Sequence, residues 1–505
     1  YHRQLGKEVR FQAGTDEHGN KISAKAQAEG LDPISYVNQT HLYFKEIMNK
    51  IGAQYTDFIR TTDSHHIQAV QYIWKKLSPY IYKGTYEGWY SVGEESFVSD
   101  KVAAANNGIS PDHGVPYERL SEENYYFRLI SAVLLISICC SLFGQSLLKL
   151  IELTSSYYKY LLILTPLILI FTKFSNKYLH TNTIGMKYFI EAATGKKEKV
   201  TWKFPFILTL NTLLAHSFGV SVGREGVAVQ LGGAIGGNIA LDEFSTEQKQ
   251  FFVKLGMICG FAGLFQTPLA AVVFILEVVS DKFNFTINKI YEYVTYIVAA
   301  YISAFISHKV GLEKFFVAMD IRELNINLEF ISKLILVGIV FVFVGILFVL
   351  LQRKIKELVA LNKNIIWILL VIFILVSIVF EYRYASLGTN LIDLSFTNFE
   401  QIQVYDFILK IILTAICTGI GFSGGEVTPL FAIGATCGVV LGSWLGLPIL
   451  VTAGLGYCLV FSSATKTYIA PIFLALEVFG YKLMLFAVIP AVLIYLINKK
   501  YSIYK

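Results

Sequence analysis

Charge is scarce in this chain. Lys, Arg, Asp and Glu make up 16% of its 505 residues and hydrophobic residues 54%, a balance that excludes a soluble protein of average composition. The formal charge of +6 is small for the length and no polybasic arm is present, so the basic excess bears on membrane topology rather than on nucleic-acid binding. Cysteine is equally sparse. Cys139, Cys140, Cys259, Cys417, Cys437 and Cys458 all lie in apolar segments without ligand-like spacing or partner histidines. That excludes a zinc site and a disulfide framework and leaves them as small core residues, with no metal or cofactor expected. Lys196-Lys197-Glu198-Lys199 and Lys499-Lys500 read as solvated turns. The chain opens at Tyr1 without Met or a signal peptide, so an incomplete N-terminus is expected.

The apolarity that is present is uneven. Up to about Tyr126 the sequence is mixed and charged, whereas from Leu129 apolar runs follow one another to the end. A hydrocarbon core takes roughly 20 helical residues to cross. The runs Leu129 to Ile151, Phe204 to Val222, Ile290 to Ser307, Phe330 to Leu351 and Ile365 to Phe380 are read as spans of about that length. Gly219 to Asn238, Gly256 to Glu277, Gly419 to Gly442 and Gly454 to Glu477 are instead interrupted by Gly and Pro, the pattern of half-spanning helices in transporters. The expected class is a mainly α, polytopic membrane protein preceded by a soluble segment.

The apolar part repeats itself at a shift of roughly 200 residues. Thr267-Pro268-Leu269-Ala270 through Glu277 matches Thr467-Tyr468-Ile469-Ala470 through Glu477, and Gly223-Arg224-Glu225-Gly226-Val227 falls opposite Gly424-Gly425-Glu426-Val427. In transporters built this way, helix breaks from both repeats aim their N-termini at a common site, where unpaired N–H groups attract an anion. Glycines at Gly223, Gly226, Gly424 and Gly425 permit close backbone approach. Glu225 lies inside such a break, and a carboxylate at membrane depth is by default a functional residue. Gly233, Gly236 and Gly237 read as packing positions, Arg224 as an ion-pair partner, and Glu277 and Glu477 as helix-end or structural hydrogen-bonding residues.

Gly223-Arg224-Glu225-Gly226-Val227, Gly425-Glu426-Val427-Thr428-Pro429 and Pro268-Leu269-Ala270 through Glu277 resemble the GREGP, GxFxP and PLAGxxFxxE motifs of the CLC family of chloride channels and proton-coupled anion antiporters. The resemblance covers about residues 129–505, with repeats at about 129–310 and 330–505. It implies an inverted repeat of broken helices and a homodimer with a separate pore in each subunit of a bacterial plasma membrane. Val227 stands where the usual motif has proline, Glu426-Val427-Thr428 where chloride homologues carry an apolar-Phe-Ala turn, and Met186 in Thr183-Ile184-Gly185-Met186-Lys187 at the coordinating serine position. These departures resemble the bacterial fluoride-exporting branch, whose members exchange fluoride for protons. By that resemblance Glu225 is the gating, proton-accepting carboxylate. Met186, Gly223, Arg224, Gly226, Val227, Gly425, Val427 and Thr428 would form the anion site. Glu426 would be a second protonatable group, an orienting partner or a structural residue. Tyr504 in Ser502-Ile503-Tyr504 would close the inner end of the path from a helix cut short at Lys505, with Tyr501 the weaker candidate. Val278 follows Glu277 where chloride/proton antiporters often carry an inner proton-transfer glutamate. The alternative of the same fold is a voltage-gated-type chloride channel or chloride/proton exchanger.

Residues 1–128 resemble a different family, methionyl-tRNA synthetase. Gly14-Thr15-Asp16-Glu17-His18-Gly19 matches its GTDEHG motif, followed by Asp57-Phe58-Ile59-Arg60-Thr61-Thr62-Asp63 and Tyr86-Glu87-Gly88-Trp89-Tyr90. The resemblance implies part of a class I synthetase α/β Rossmann-like fold, N-terminal and cytoplasmic, with Asp16, Glu17 and His18 at a vestigial amino-acid or adenosine pocket. The HIGH and KMSKS motifs are missing, and Ser91-Val92-Gly93-Glu94 stands where zinc-bearing members have a Cys-x-x-Cys knuckle. Methionine–tRNA ligase activity, and with it a nucleic-acid partner, is therefore not expected. The junction at Asn124 to Leu129 has no Pro/Gly/Ser linker, as in a recombination or assembly artefact, the alternative being a fusion that has lost activity.

Overall fold

The computed structural model describes residues 5–78, 81–91, 96–98, 100–178, 185–197, 201–240, 246–279, 287–319 and 326–504. The expectations placed on Tyr1, Val92-Gly93-Glu94, Thr183-Ile184, Glu198-Lys199 and Lys505 lie outside them. The chain divides into two compact units, Tyr1–Arg128 and Leu129–Lys505.

In the first unit, β1 (Gln12–Thr15), α1 (Asn20–Ala28), α2 (Pro33–Lys50), β2 (Asp57–Arg60) and α3 (Ser64–Leu77) come first. Strands β1 and β2 pair in parallel, Gln12 opposite Asp57 and Thr15 opposite Arg60, the register that helical crossovers allow. Asp32 accepts from Ser35 N at 3.0 Å and sets the start of α2. Strands β3 (Ile81–Ser91) and β4 (Ser96–Val98), helix α4 (Asp100–Ala105) and β5 (Glu118–Phe127) follow, with β3 central in an antiparallel sheet of order β4-β3-β5. A parallel pair with a separate antiparallel insertion is what the class I synthetase likeness implies.

The second unit is helical. Its first half runs α5 (Arg128–Ser155), α6 (Tyr158–Leu161), α7 (Thr165–Tyr178), α8 (Met186–Ala193), α9 (Lys203–Ser217), α10 (Glu225–Ile239), α11 (Thr246–Phe265), α12 (Pro268–Val279) and α13 (Ile287–Lys309). Its second half runs α14 (Leu328–Leu361), α15 (Ile365–Val379), α16 (Thr389–Thr397), α17 (Asp406–Ile420), α18 (Val427–Leu445), α19 (Ile449–Thr465), α20 (Ala470–Phe479) and α21 (Tyr481–Ile497).

Among the described residues four helical stretches are long and apolar enough to cross a bilayer: Leu129–Ser155, Tyr158–Tyr178, Leu328–Leu361 and Val427–Leu445. The run Phe204 to Val222 is not one of them. Helix α9 stops at Ser217, and Gly219, at φ +73°, turns the chain out of the helix. Helix α15 has 15 residues, short for a full crossing. Large apolar side chains such as Leu142, Phe343, Leu347, Ile368 and Leu375 are exposed, a surface suited to lipid rather than water.

The core is made by α10 against α11 and by α18 against α19, two pairs in corresponding positions of the repeats. Added Cβ atoms at Gly232 and Gly256 would fall 2.0 and 2.1 Å from each other's carbonyl oxygens, and Gly434 and Gly456 meet in the same way at 2.0 Å. Backbone is thus packed on backbone, which only glycine allows. Gly236 does likewise against Phe252 O at 2.2 Å. Breaks recur at the 200-residue shift too: Gln266 and Lys466, directly after α11 and α19, both have positive φ, +55° and +61°.

Candidate functional site

Two breaks, each ahead of a helix, meet backbone to backbone. The first, Phe218 to Arg224, precedes α10. The second, Gly421 to Glu426, precedes α18 and turns through Gly421 and Gly424 at φ +105° and +154°. Gly223 N donates to Gly425 O at 2.5 Å, and Gly425 N to Gly223 O at 2.6 Å. A Cβ on Gly223 would lie 2.9 Å from Pro429 Cδ, and one on Gly425 3.0 Å from Gly226 N. Any side chain at either position forces the breaks apart.

Glu225 is the first residue of α10 and is 1% exposed. Its Oε2 accepts from Thr428 N at 3.2 Å and from the Thr428 hydroxyl, while Arg224 Nε lies 3.3 Å from its Oε1. The acid of one repeat therefore sits on the helix head of the other, where unpaired N–H groups and the dipole favour negative charge. Gly223 and Gly425 spend their N–H groups on each other, and Val227 N donates to Arg224 O at 3.1 Å. These three shape the site rather than offer donors to it. Val427, 1% exposed, opens α18.

Glu426 is drawn to another partner. Its Oε1 accepts from Gln352 Nε2 at 3.0 Å, and Gln352, buried in α14, also donates to Thr418 Oγ1 at 2.9 Å. Gln352 is a site residue the motifs do not announce; its signal is an amide inside an apolar run. Tyr504 lies on a non-helical strap after α21, which corrects the helix expected for it. The strap is held by Asn498 Nδ2 on Ser463 O at 2.7 Å, Ile503 N on Ala464 O at 2.9 Å and Arg353 Nη2 on Ser502 O at 2.7 Å. The Tyr504 ring packs against Phe274 with centroids 6.4 Å apart. Its buried hydroxyl has no partner among the described residues. Tyr501 is partly exposed and serves the strap through its backbone bonds with Asn498. Met186 opens α8, buried, with Gly185 as cap; α8 packs on α10, α11 and α12.

Glu277 and Glu477 are hydrogen-bonding residues that cap each other's helices. Glu277 accepts from Tyr468 N at 2.8 Å, Ile469 N at 2.9 and 3.1 Å and Ala470 N at 2.8 Å, the head of α20. Glu477 accepts from Leu269 N at 3.0 Å and Ala270 N at 2.9 Å, the head of α12. Val278 is buried.

In the first unit Asp16 and His18 are exposed, and Asp16 lines a cavity of about 200 Å³ together with Thr15, Glu17, Lys21 and His41, which His18 does not reach. Asp16 Oδ1 accepts from Thr61 Oγ1 at 3.5 Å, and His18 Nε2 lies 3.4 Å from Thr61 O. Glu17 is buried against Arg60 Nε at 2.8 Å and Thr15 Oγ1 at 2.7 Å, with the Thr62 hydroxyl also donating. Burial pushes its carboxyl up, but the hydrogen bonds from Arg60, Thr62 and Thr15 outweigh that and hold it below the usual range.

The sequence family described as voltage gated chloride channel matches residues 164–499, and that described as class I tRNA synthetases (M) matches residues 1–143. A chloride/fluoride channel protein of Pseudomonas syringae is 30% identical over 337 residues, 63% of this chain and 72% of that protein. The crystal structure of a CLC-type fluoride/proton antiporter is 36% identical with a TM-score of 0.69, covering 75% of this chain and 95% of that one. A slow cyanobacterial Cl−/H+ antiporter, 18% identical with a TM-score of 0.63, shares the fold. The mitochondrial methionine–tRNA ligase of Xenopus laevis is 41% identical over 140 residues. Those residues are 26% of this chain and 25% of the ligase, so the chain spans about a quarter of that relative.

Proposed function

This chain belongs to the voltage gated chloride channel family, and we propose from that membership and the geometry of its paired breaks that it exports fluoride in exchange for protons. Anion transport of the CLC type across a membrane follows from the family. Fluoride as the anion is supported by the 36% identity to a fluoride/proton antiporter over 95% of that protein, and by the chloride/fluoride relative from Pseudomonas syringae.

The observation that carries the reading is the Glu225 carboxylate resting on the N–H and hydroxyl of Thr428 at the head of α18. Ionised, Glu225 occupies donors that a small anion also needs. Protonated, it loses charge and acceptor strength, and hydrogen bonds to a charged group are worth about 1.5–3 kcal/mol each, so the donors pass to fluoride. Fluoride leaves water only for strong donors, which the Thr428 hydroxyl and amide are. Proton movement and anion movement then share one carboxyl group. Glu426, oriented by Gln352, is the second carboxyl on the route, the Tyr504 hydroxyl closes it at the far end, and Met186 lines it without a donor. The working unit is a homodimer in a bacterial plasma membrane, each subunit with its own path.

Reconstituted protein given a fluoride gradient should drive protons uphill, read with a pH-sensitive dye and a fluoride electrode, and Glu225→Gln should abolish the proton movement. Full coupling in Glu225→Gln, or fluoride flux in the unaltered protein without protons, would refute the reading. The second outcome describes a channel, as the Pseudomonas syringae relative is named.

A further inference from the structure

Helix α10 carries Glu225 at its head, and its other end opens on a cavity of about 700 Å³ that the exchange just described does not use. Gly237 lines the cavity and stands about 18 Å from Glu225 along the helix, at about 1.5 Å per residue. The walls come from the ends of α8 and α10 and the start of α11, and they bear Lys196, Lys197 and Lys249 with Thr246 and Gln250. Among the described residues that line it there is no Asp or Glu. The volume is that of a small-molecule site, far more than a halide fills. Like charges gathered around a concave space raise the potential inside it.

Lysines just past a helix commonly serve its last carbonyl groups. At the end of α8 the backbone does that instead. Gly195, at φ +78°, donates its N–H to Ala192 O at 3.0 Å, and Lys196 N donates to Glu191 O at 2.9 Å, the closure that a left-handed glycine allows. The ammonium groups of Lys196 and Lys197 make no hydrogen bond or ion pair among the described residues. A Cβ on Gly195 would strike the Gln250 amide, so only glycine lets this turn lie directly on α11 and bring both lysines to the cavity wall. Ala192 and Val253, both buried, give the cavity an apolar floor.

Two uncommitted ammonium groups, a hydroxyl and an amide around a concave, partly apolar space suit an anion with two charges, several acceptor oxygens and an organic body. A phosphate monoester carries a charge of about −1.5 to −2 and three strong acceptor oxygens, and lysine binds it as a point charge. A carboxylate brings one charge and leaves one ammonium uncompensated. We propose that this cavity binds a small phosphate-bearing molecule, with its phosphate between Lys196 and Lys197 and its body on Ala192 and Val253. That chemistry has two sources, a soluble phosphorylated compound and the headgroup of an anionic lipid. The site is separate from the paired breaks and does not depend on which anion they carry.

Phenyl phosphate, titrated calorimetrically into the full chain in detergent, probes the soluble source. Dioleoyl phosphatidate in a phosphatidylcholine nanodisc, followed by native mass spectrometry, probes the lipid source. One of the two should bind one to one. Lys196→Gln combined with Lys197→Gln should weaken that binding about a hundredfold, about tenfold for each charge-assisted contact. Lys354→Gln combined with Lys363→Gln removes the same charge away from the cavity and should leave affinity within about twofold. All four lysines are exposed, so neither pair disturbs the core. Binding of phenyl phosphate identifies a soluble ligand, and retention of phosphatidate without it identifies a lipid headgroup. Binding of neither probe, equal weakening by both pairs of substitutions, or benzoate binding as tightly as phenyl phosphate overturns the site.

Discussion

Replacing Glu277 by Gln tests whether the two repeats hold each other's helix breaks open. The carboxylate takes three N–H groups at the head of α20, one of them shared between its two oxygens. Gln keeps one oxygen and turns an NH2 toward donors, so one N–H is orphaned and the rest lose their charge assistance. With charge-assisted bonds worth about 1.5–3 kcal/mol and neutral ones about 1, the loss is about 3–4 kcal/mol. Glu477 takes only two N–H groups, one on each oxygen, so Glu477→Gln should cost less, about 2–3 kcal/mol. A helical unit of this size unfolds with an entropy of about 0.8 kcal/mol per kelvin, which converts these to Tm drops of about 4 and 3 °C. Thermal unfolding of purified protein in detergent, followed by circular dichroism near 222 nm, measures both. A shift under about 1 °C for Glu277→Gln, or a larger drop for Glu477→Gln than for Glu277→Gln, would refute the cross-capping argument.

Three further outcomes are expected. Thr428→Val removes the hydroxyl that meets Glu225 and should lower fluoride-driven proton flux by about tenfold or more, whereas Thr428→Ser should retain most of it; equal flux in both would sink the role given to the hydroxyl. Gly425→Ala pushes a Cβ to 3.0 Å from Gly226 N and should silence both fluoride and proton movement while the protein still elutes as a folded species. In the first unit Glu17 has a depressed pKa, so its stabilisation is present above the unfolded-state pKa and is lost as pH falls through the lower folded-state value. Glu17→Gln should destabilise that unit by about 2–3 kcal/mol at neutral pH and flatten its acid sensitivity, read by hydrogen exchange at β1 and β2 in the full chain.

The meeting of the two breaks was legible where chemistry and spacing coincide. Glu225 stands out because a carboxylate among glycines in an apolar stretch has few bland explanations, and the 200-residue shift returns in space as the exchange of caps between Glu277 and Glu477. What remained hidden depends on backbone partners. The pairing of Gly223 with Gly425, which removes both as anion donors, follows from the meeting of two distant breaks and leaves no local mark. Phe204 to Val222 reads as one span because hydropathy is blind to the positive φ of Gly219. The strap that carries Tyr504 is set by Arg353 and Ala464, remote from the Ile-Tyr segment, together with the nearby Asn498. Gln352 does carry a signal, a polar group inside an apolar run, but no motif draws the eye to it. In the first unit the GTDEHG stretch is legible as a motif, yet Glu17 is tied to Arg60 and His18 lies outside the cavity that Thr15, Asp16 and Glu17 line.

The exchanged caps also order events at the ribosome. Ala270 N at the head of α12 finds its acceptor in a glutamate 207 residues further along. At synthesis rates of about 5–20 residues per second that acceptor arrives some 10–40 seconds later. The head of α12 therefore goes without this acceptor until the second repeat has been made.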